Sequence, residues 1–247
     1  MSRSSRHGAF KEKVKAMFGE LSPRYDKLNA ILSFGRDSFW REALTRRLVE
    51  LGDGARILDL ATGTGDQLTS IRRLHPKAQV TGLDFSEPML EVAKRKAAEQ
   101  SKLLPPDSPE PHLVLGDVLE TWLPSSHFDS VSMSFALRSL PSREPLYREV
   151  IRVLKPGGRF VFLELWHDRR APWARLIRLH LEVLAPFAAS ALLGADKTAY
   201  QFLGRSIIAF PDPYRLSDEL LAAGFDQIGL RTYTFGTAML VWGRKPL

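Results

Sequence analysis

Two hydrophobic rhythms divide the chain. Near the N-terminus Phe10, Val14, Met17 and Phe18 recur at helical spacing, and a second helical pattern runs from Phe39 through Leu44 and Leu48 to Leu51. From Arg56 onward, short apolar runs alternate with amphipathic stretches. The runs place strands at Arg56–Leu60, Gln79–Asp84, Pro111–Leu115, Phe128–Ser134 and Arg159–Leu165, with helices at Asp66–Leu74, Pro88–Glu99 and Arg143–Leu154. Such alternation predicts a parallel sheet joined by right-handed crossovers. Lys155-Pro156-Gly157-Gly158 reads as a helix stop, and Lys102–Pro111, which carries four prolines, as a surface loop.

Past Trp166 the alternation breaks. Ala171–Gly194 and Thr198–Ile208 read as apolar helices inserted ahead of a final helix at Tyr214–Ala223. Strands at Gln227–Thr232 and Thr237–Gly243 then close the chain as a hairpin, completing a seven-stranded sheet whose last strand is antiparallel. The polar, basic residues 1–9 read as a disordered tail, and 10–247 as a single domain. Within it, helices occupy the N-terminal part, 10–54, and a helical lid is inserted at about 167–212.

The densest chemistry lies in Ile57–Asp66, a buried strand running into a glycine turn and then a helix. Gly63 and Gly65 let the backbone approach a ligand closely, and the following helix offers free N–H groups to a carboxylate. Asp84 ends the second strand 19 residues after Gly65, where its carboxylate can accept from two ribose hydroxyls. Asp117 follows the third strand and is placed for an adenine amino group, while Ser134 ends the fourth and lines the floor. A dinucleotide fingerprint would need a third glycine where Leu68 stands, which argues against a dehydrogenase.

Composition narrows the partners. Among 247 residues there is no cysteine, which excludes disulfides, thiolate metal ligands and a cysteine nucleophile, and favours a cytoplasmic setting. No histidine and carboxylate pairing has metal-ligand spacing, so no metal is expected. The net charge of +7 favours anionic partners, but the basic residues are spread along the chain without an arginine-rich run, which argues against nucleic acid. The longest charge-free stretch, Val183–Ala195, is too short to span a bilayer. Trp173–Phe187 is apolar but interrupted by Arg175 and Arg178, and reads either as a membrane-touching lid or as a core or homodimer contact.

These segments resemble the ubiquinone/menaquinone biosynthesis C-methyltransferase family from about Phe10 to the C-terminus. The resemblance rests on Ser-Pro-Arg-Tyr-Asp-Lys-Leu-Asn at Ser22–Asn29, Ala-Thr-Gly-Thr-Gly-Asp at Ala61–Asp66 and Phe-Ala-Leu-Arg at Phe135–Arg138. It continues through Arg152–Arg159, Leu163–Glu164, Tyr200–Leu203 and Ile208–Asp212. It implies a Rossmann-like class I methyltransferase that uses S-adenosylmethionine, without a metal, to methylate a ring carbon of a polyprenylated quinol. The quinol would be a demethylmenaquinol or a ubiquinol precursor, and contact with the inner membrane surface would be peripheral.

On that resemblance Asp59, Thr62, Gly63, Thr64, Gly65, Asp84, Phe85, Asp117, Val118 and Ser134 form the donor site. Arg138 falls on an arginine of the family's Phe-Gly-Leu-Arg-Asn motif, where it is implied to assist quinol deprotonation through water. Its bland alternative is an ion pair with Glu144 or Glu149. Tyr25, beside Asp26, and Tyr200 are candidates to close over the substrate, and their bland alternative is an aromatic packing cluster. Ala136 and Ser139 depart from the family motif, as do the basic pair at Arg170 and the long loop after Ser101. Methylation of another small aromatic molecule is the alternative activity.

Overall fold

A computed structural model describes residues 25–33, 35–48, 52–187, 190 and 204–247. The expected tail, the helical pattern at Phe10–Phe18 and Tyr200 lie outside these residues, as does most of the expected helix Thr198–Ile208. Seven strands form one sheet: β1 (Arg56–Leu60), β2 (Gln79–Asp84), β3 (His112–Leu115), β4 (Phe128–Ser134), β5 (Leu154–Leu165), β6 (Asp226–Tyr233) and β7 (Ala238–Arg244). Their order is β3-β2-β1-β4-β5-β7-β6. The first five are parallel, and β7 runs antiparallel to both β5 and β6. The chain reverses its direction of winding between β1 and β4, the place where an open sheet leaves a crevice beyond its strand ends.

Helices cover both faces, which is why the central strands read as near-continuous apolar runs. The helices are α1 (Tyr25–Leu32), α2 (Asp37–Thr45), α3 (Asp66–Leu74), α4 (Glu87–Ser101), α5 (Glu144–Val153), α6 (Ala174–Leu179) and α7 (Pro213–Ala222). On β1, Ile57 turns to the face that holds Trp40, Leu44 and Leu68, whereas Leu58 and Leu60 turn to the face of Val150 and Leu216. Strand β5 repeats the division, with Val161 and Leu163 on the first face and Phe160 and Phe162 on the second. Asp212 caps α7 by accepting from the Arg215 N–H at 3.0 Å, and Pro213 supplies its first turn.

Several boundaries differ from the pattern for identifiable reasons. Helix α5 ends at Val153, where the Lys155–Gly158 stop predicts, but β5 begins at Leu154 rather than Arg159 and takes these residues in as a bulge: Leu154 pairs with Phe128 and Arg159 with Ser130, with a register shift between them. The C-terminal strand holds this bulge, since the Gly157 N–H donates to the Lys245 carbonyl at 2.9 Å and the Lys245 N–H to the Gly158 carbonyl at 2.8 Å. Helix α2 stops at Thr45 rather than continuing to Leu51. Past Thr45 the backbone tightens into i→i−3 turns, with the Arg47 N–H donating to the Leu44 carbonyl at 2.8 Å and the Leu48 N–H to the Thr45 carbonyl at 3.2 Å. The expected helix from Ala171 starts at Ala174 and passes into a π-turn at His180–Leu184. The proline loop is pinned by buried Arg72, which donates to the carbonyl oxygens of Ala97 and Pro109 at 3.1 and 3.2 Å.

Trp40 is fully buried where α2 meets β5, and its indole N–H reaches the Thr234 hydroxyl at 3.0 Å. Trp40→Ala should therefore lower unfolding free energy by about 3–5 kcal/mol through the cavity it leaves. Urea titration at unchanged m-value would show this, and a loss below about 1 kcal/mol would mean that α2 contributes little to the fold.

Candidate active site

The turn after β1 is built from left-handed backbone: Ala61, Gly63 and Gly65 have φ of 51°, 56° and 85°. At Gly65 a side chain is excluded twice, by φ and by Ala93 Cβ, which would lie 3.0 Å from an added Cβ. Gly63 instead faces open space, with nothing nearer to an added Cβ than the Ala61 carbonyl oxygen at 3.9 Å. That open face adjoins α3, whose first N–H groups point out of the sheet end.

Asp84 ties this turn to β2. Its Oδ2 accepts from the Gly63 N–H and its Oδ1 from the Ser86 N–H, both at 2.9 Å. Burial pushes its pKa up, against the pull of those N–H groups. The Ser86 hydroxyl beside it is buried without a partner. Beneath the turn Asp59 is enclosed, accepting from the hydroxyls of Thr62 at 2.6 Å and Ser132 at 2.7 Å. Burial drives its pKa up to about 6 despite those bonds.

The remaining donor-site candidates follow the same rim. Asp117 holds its own turn by accepting from the Leu119 N–H at 2.9 Å, and Val118 is buried beside it. The Ser134 hydroxyl reaches Gln67 Oε1 at 3.2 Å, and Gln67 Nε2 in turn donates to the Thr45 hydroxyl at 2.9 Å. Phe85 connects Asp84 to Ser86, and its N–H adds to the donors around the Asp84 carboxylate. In the order β3-β2-β1-β4, the candidates at Asp117, Asp84, Gly63 and Ser134 stand at the ends of four neighbouring strands.

Thr64 points elsewhere. Its hydroxyl donates to Asp26 Oδ1 at 2.6 Å, and Lys96 Nζ bridges Asp26 and Asp66 at 2.5 Å each. Burial raises the Asp66 pKa, but the charges of Arg41 and Lys96 outweigh it and leave the carboxyl below its ordinary range. Sequence reading missed this network because Asp26 and Lys96 are 70 residues apart. Tyr25 opens α1, adjacent to Asp26.

Arg138 pairs with neither Glu144 nor Glu149. Its guanidinium donates to Glu164 Oε2 at 2.6 Å and its backbone N–H to Oε1 at 3.2 Å. Both side chains are essentially inaccessible, at 1% and 0%. Burial raises the Glu164 pKa, opposed by Arg138. Arg138 Nε and the Ser139 hydroxyl are buried without partners. Glu149 is occupied by Arg152 at 2.7 Å and the Thr121 hydroxyl at 2.6 Å, and Glu144 by Arg148 at 3.6 Å. Preceding Arg138, Phe135 has φ of 59° and lies 4.9 Å under the Arg41 guanidinium. Among the described residues no group of three or more histidines and carboxylates is placed to hold a metal ion.

A glycine turn at the switch point, an acidic residue ending the next strand and an antiparallel seventh strand define a class I methyltransferase. The chain superposes on the S-adenosylmethionine-dependent methyltransferase of Thermotoga maritima with a TM-score of 0.63 at 16% identity, covering 94% of this chain and 99% of that one. The chain belongs to the ubiE/COQ5 methyltransferase family, whose model matches residues 6–245. It is 38% identical over 233 residues to the demethylmenaquinone methyltransferase of Thermus thermophilus, covering 93% of this chain and all of that one. The Clavibacter sepedonicus protein of the same name is 38% identical over 237 residues, covering 94% of this chain and 90% of its own.

The residues present fit S-adenosylmethionine, the methyl donor of this class. Gly63 has open space where a bulky ligand could approach the backbone, and beside Asp84 the Ser86 hydroxyl is buried without a partner. Gly65→Ala should abolish donor binding and lower stability, whereas Gly63→Ala should fold and bind weakly. Calorimetric titration of both variants separates the two effects, and equal behaviour would contradict the difference in space at these positions.

Asp59 generates a pH signature. Its folded pKa of about 6 lies above the ordinary aspartate value, so its contribution to stability is complete near pH 4 and is lost as pH rises through about 6. Ionisation should cost about 3 kcal/mol across that window. Asp59→Asn should flatten this part of the stability profile in denaturant titrations, and an unaltered slope would place the titration in another group.

Proposed function

We propose that the protein transfers a methyl group from S-adenosylmethionine to a ring carbon of a polyprenylated quinol, a demethylmenaquinol or a ubiquinol precursor. The observation that carries this reading is a donor-type turn beside a buried Arg138–Glu164 pair, in a chain whose full-length relatives are named demethylmenaquinone methyltransferases. The bound donor supplies an electrophilic methyl on a sulfonium. The chain's task is alignment and exclusion of water, since an in-line displacement at carbon needs little else.

Asp84 and the Gly63 N–H orient the donor, Asp117 and Val118 bound its adenine, and the enclosed Asp59 holds Thr62 and hence the turn. A quinol ring becomes nucleophilic when a hydroxyl loses its proton, and a positive neighbour favours that ionisation. Arg138 takes this part: Glu164 orients it, and its unpartnered Nε–H is free to meet the ring oxygen or an intervening water. A guanidinium is too basic to act as the base itself. Tyr25 and Tyr200 close the substrate side in this reading. The protein acts in the cytoplasm at the inner membrane surface, because a polyprenylated ring stays in lipid; among the described residues no helix is long and apolar enough to cross a membrane.

The test is transfer of label from S-adenosylmethionine to demethylmenaquinol and to a demethylated ubiquinol precursor. Asp84→Ala should weaken donor binding about 30- to 100-fold, the equivalent of losing about 2–3 kcal/mol of charge-assisted hydrogen bonding. Arg138→Ala would strand Glu164 as a buried charge and destabilise the fold by about 3–5 kcal/mol, so Arg138→Lys is the cleaner variant. It should lower kcat at least about tenfold with donor affinity unchanged. Donor binding without transfer to either quinol would overturn the quinone reading and leave a methyltransferase of another substrate.

A further inference from the structure

We propose that the β6–β7 hairpin tip and the outer face of α6 with its π-turn form one surface that inserts into the interface of a bilayer carrying anionic phospholipid. The inference rests on the quinol reading only for the reason such a surface is useful. Its evidence is geometric.

Residues 174–187 form a helix that is apolar on both sides. Ile177, Leu181 and Ala185 face inward against Leu32 and Ile207. On the other side Leu176 and Phe187 are each 68% exposed, and Val183 and Leu184 are exposed with them. Its outward apolar residues stand among exposed Arg175, Arg178 and Glu182, the mixture of apolar and basic side chains that suits a membrane interface. At 14 residues it is too short to span a bilayer but suits lying in the interface plane. Arg169, Arg170, Arg175 and Arg178 accompany it against Asp168 and Glu182, an excess of positive charge that complements anionic headgroups.

The hairpin tip joins this face independently. Thr234, Phe235 and Gly236 have successive φ of 48°, 56° and 82°. Left-handed backbone at Phe235 is unfavourable, yet it presents the ring at 77% exposure. The strain is held from three sides: Thr237 hydroxyl to Thr234 carbonyl at 2.9 Å, Trp40 indole to Thr234 hydroxyl at 3.0 Å, and Trp173 indole to Phe235 carbonyl at 2.6 Å. Trp173, which caps α6, also stacks edge-on against the Phe235 ring with centroids 5.4 Å apart. Two elements distant in sequence are thus locked together with aromatic rings outward, the amphipathic chemistry favoured at headgroup depth. Beneath the helix, Leu165, Trp166, Ile177 and Thr237 line a small cavity that begins one residue beyond Glu164. The surface therefore adjoins the end of β5, the strand that carries Glu164.

Sedimentation of the full chain with phosphatidylcholine vesicles, with and without phosphatidylglycerol, tests the inference. The native chain should bind the anionic vesicles and be released by salt. Phe235→Ser combined with Leu176→Gln should reduce partitioning about tenfold or more, while methylation of a short-chain, water-dispersed quinol stays within about twofold of native. Arg175→Glu should weaken binding to anionic vesicles alone. The proposal is overturned if the native chain ignores anionic vesicles at low salt, or if the double variant binds them as well as native. A concentration-dependent dimer dissolved by the same substitutions would also overturn it, reassigning the face to a second copy. Vesicle binding without methylation of any quinol would sink the activity while leaving the surface standing.

Discussion

A carboxylate sealed from water must be satisfied by its neighbours, and Asp59 meets that demand with two hydroxyls drawn from different elements. Ser132 belongs to β4 and Thr62 to the turn after β1, so one side chain spans the line along which the sheet changes its winding. The turn is fastened on its other side to β2, where the Thr62 N–H donates to the Leu83 carbonyl at 3.0 Å and the Gly63 N–H to Asp84. Three strands and the loop between them thus share one hydrogen-bonded frame. Left-handed backbone at Ala61 and Phe135, at the ends of β1 and β4, is tolerated because this frame over-determines it. Loss of Asp59 would free the turn before it disturbed the core.

The N-terminal helices are part of the same frame rather than a cover laid upon it. Asp26 on α1 reaches Thr64 in the glycine turn and, through Lys96 on α4, Asp66 at the start of α3. Thr45 on α2 reaches Gln67 on α3, which meets Ser134 at the end of β4. The glycine turn and the N-terminal helices are therefore joined by polar contacts whose geometry depends on both. An acid at the first turn of α3 suits the helix dipole, while Lys96 keeps the two carboxylates from repelling one another.

Much of this was legible before any coordinates. The central strands were readable because they are buried on both faces and bounded by turn residues, and the glycine turn was readable because its spacing follows a strand and precedes a helix. Asp84 and Asp117 could be placed because strand ends on one rim of a parallel sheet converge. What escaped was long-range. Lys155–Gly158 ends α5 as its residues suggest, but its second part, a bulge inside β5, depends on the C-terminal strand, 87 residues beyond Gly157. A carboxylate partner for Arg138 is expected from the sequence, but Glu144 and Glu149 are the near ones along the chain, whereas the sheet brings Glu164 against it. Periodicity also showed an apolar helix after Ala171 without revealing its π-turn or its union with the hairpin tip.

The Arg138–Glu164 pair is costly as a stabilising device, since taking both charges out of water offsets much of their attraction. In the proposed reaction its value lies in what it does to the field around the ring. An unpaired guanidinium there would be poorly solvated and would hold an anionic ring too firmly to release it. Paired with Glu164, it offers a directed N–H whose positive charge is tempered by the carboxylate. Transfer from a sulfonium to an ionised ring cancels two opposite charges, so a site that is itself nearly neutral and dry does not oppose the change. The same reasoning explains why Arg138 is held twice, by side chain and by backbone N–H, at one carboxylate. A donor aimed by a rigid partner discriminates by position where a free charge would attract indiscriminately.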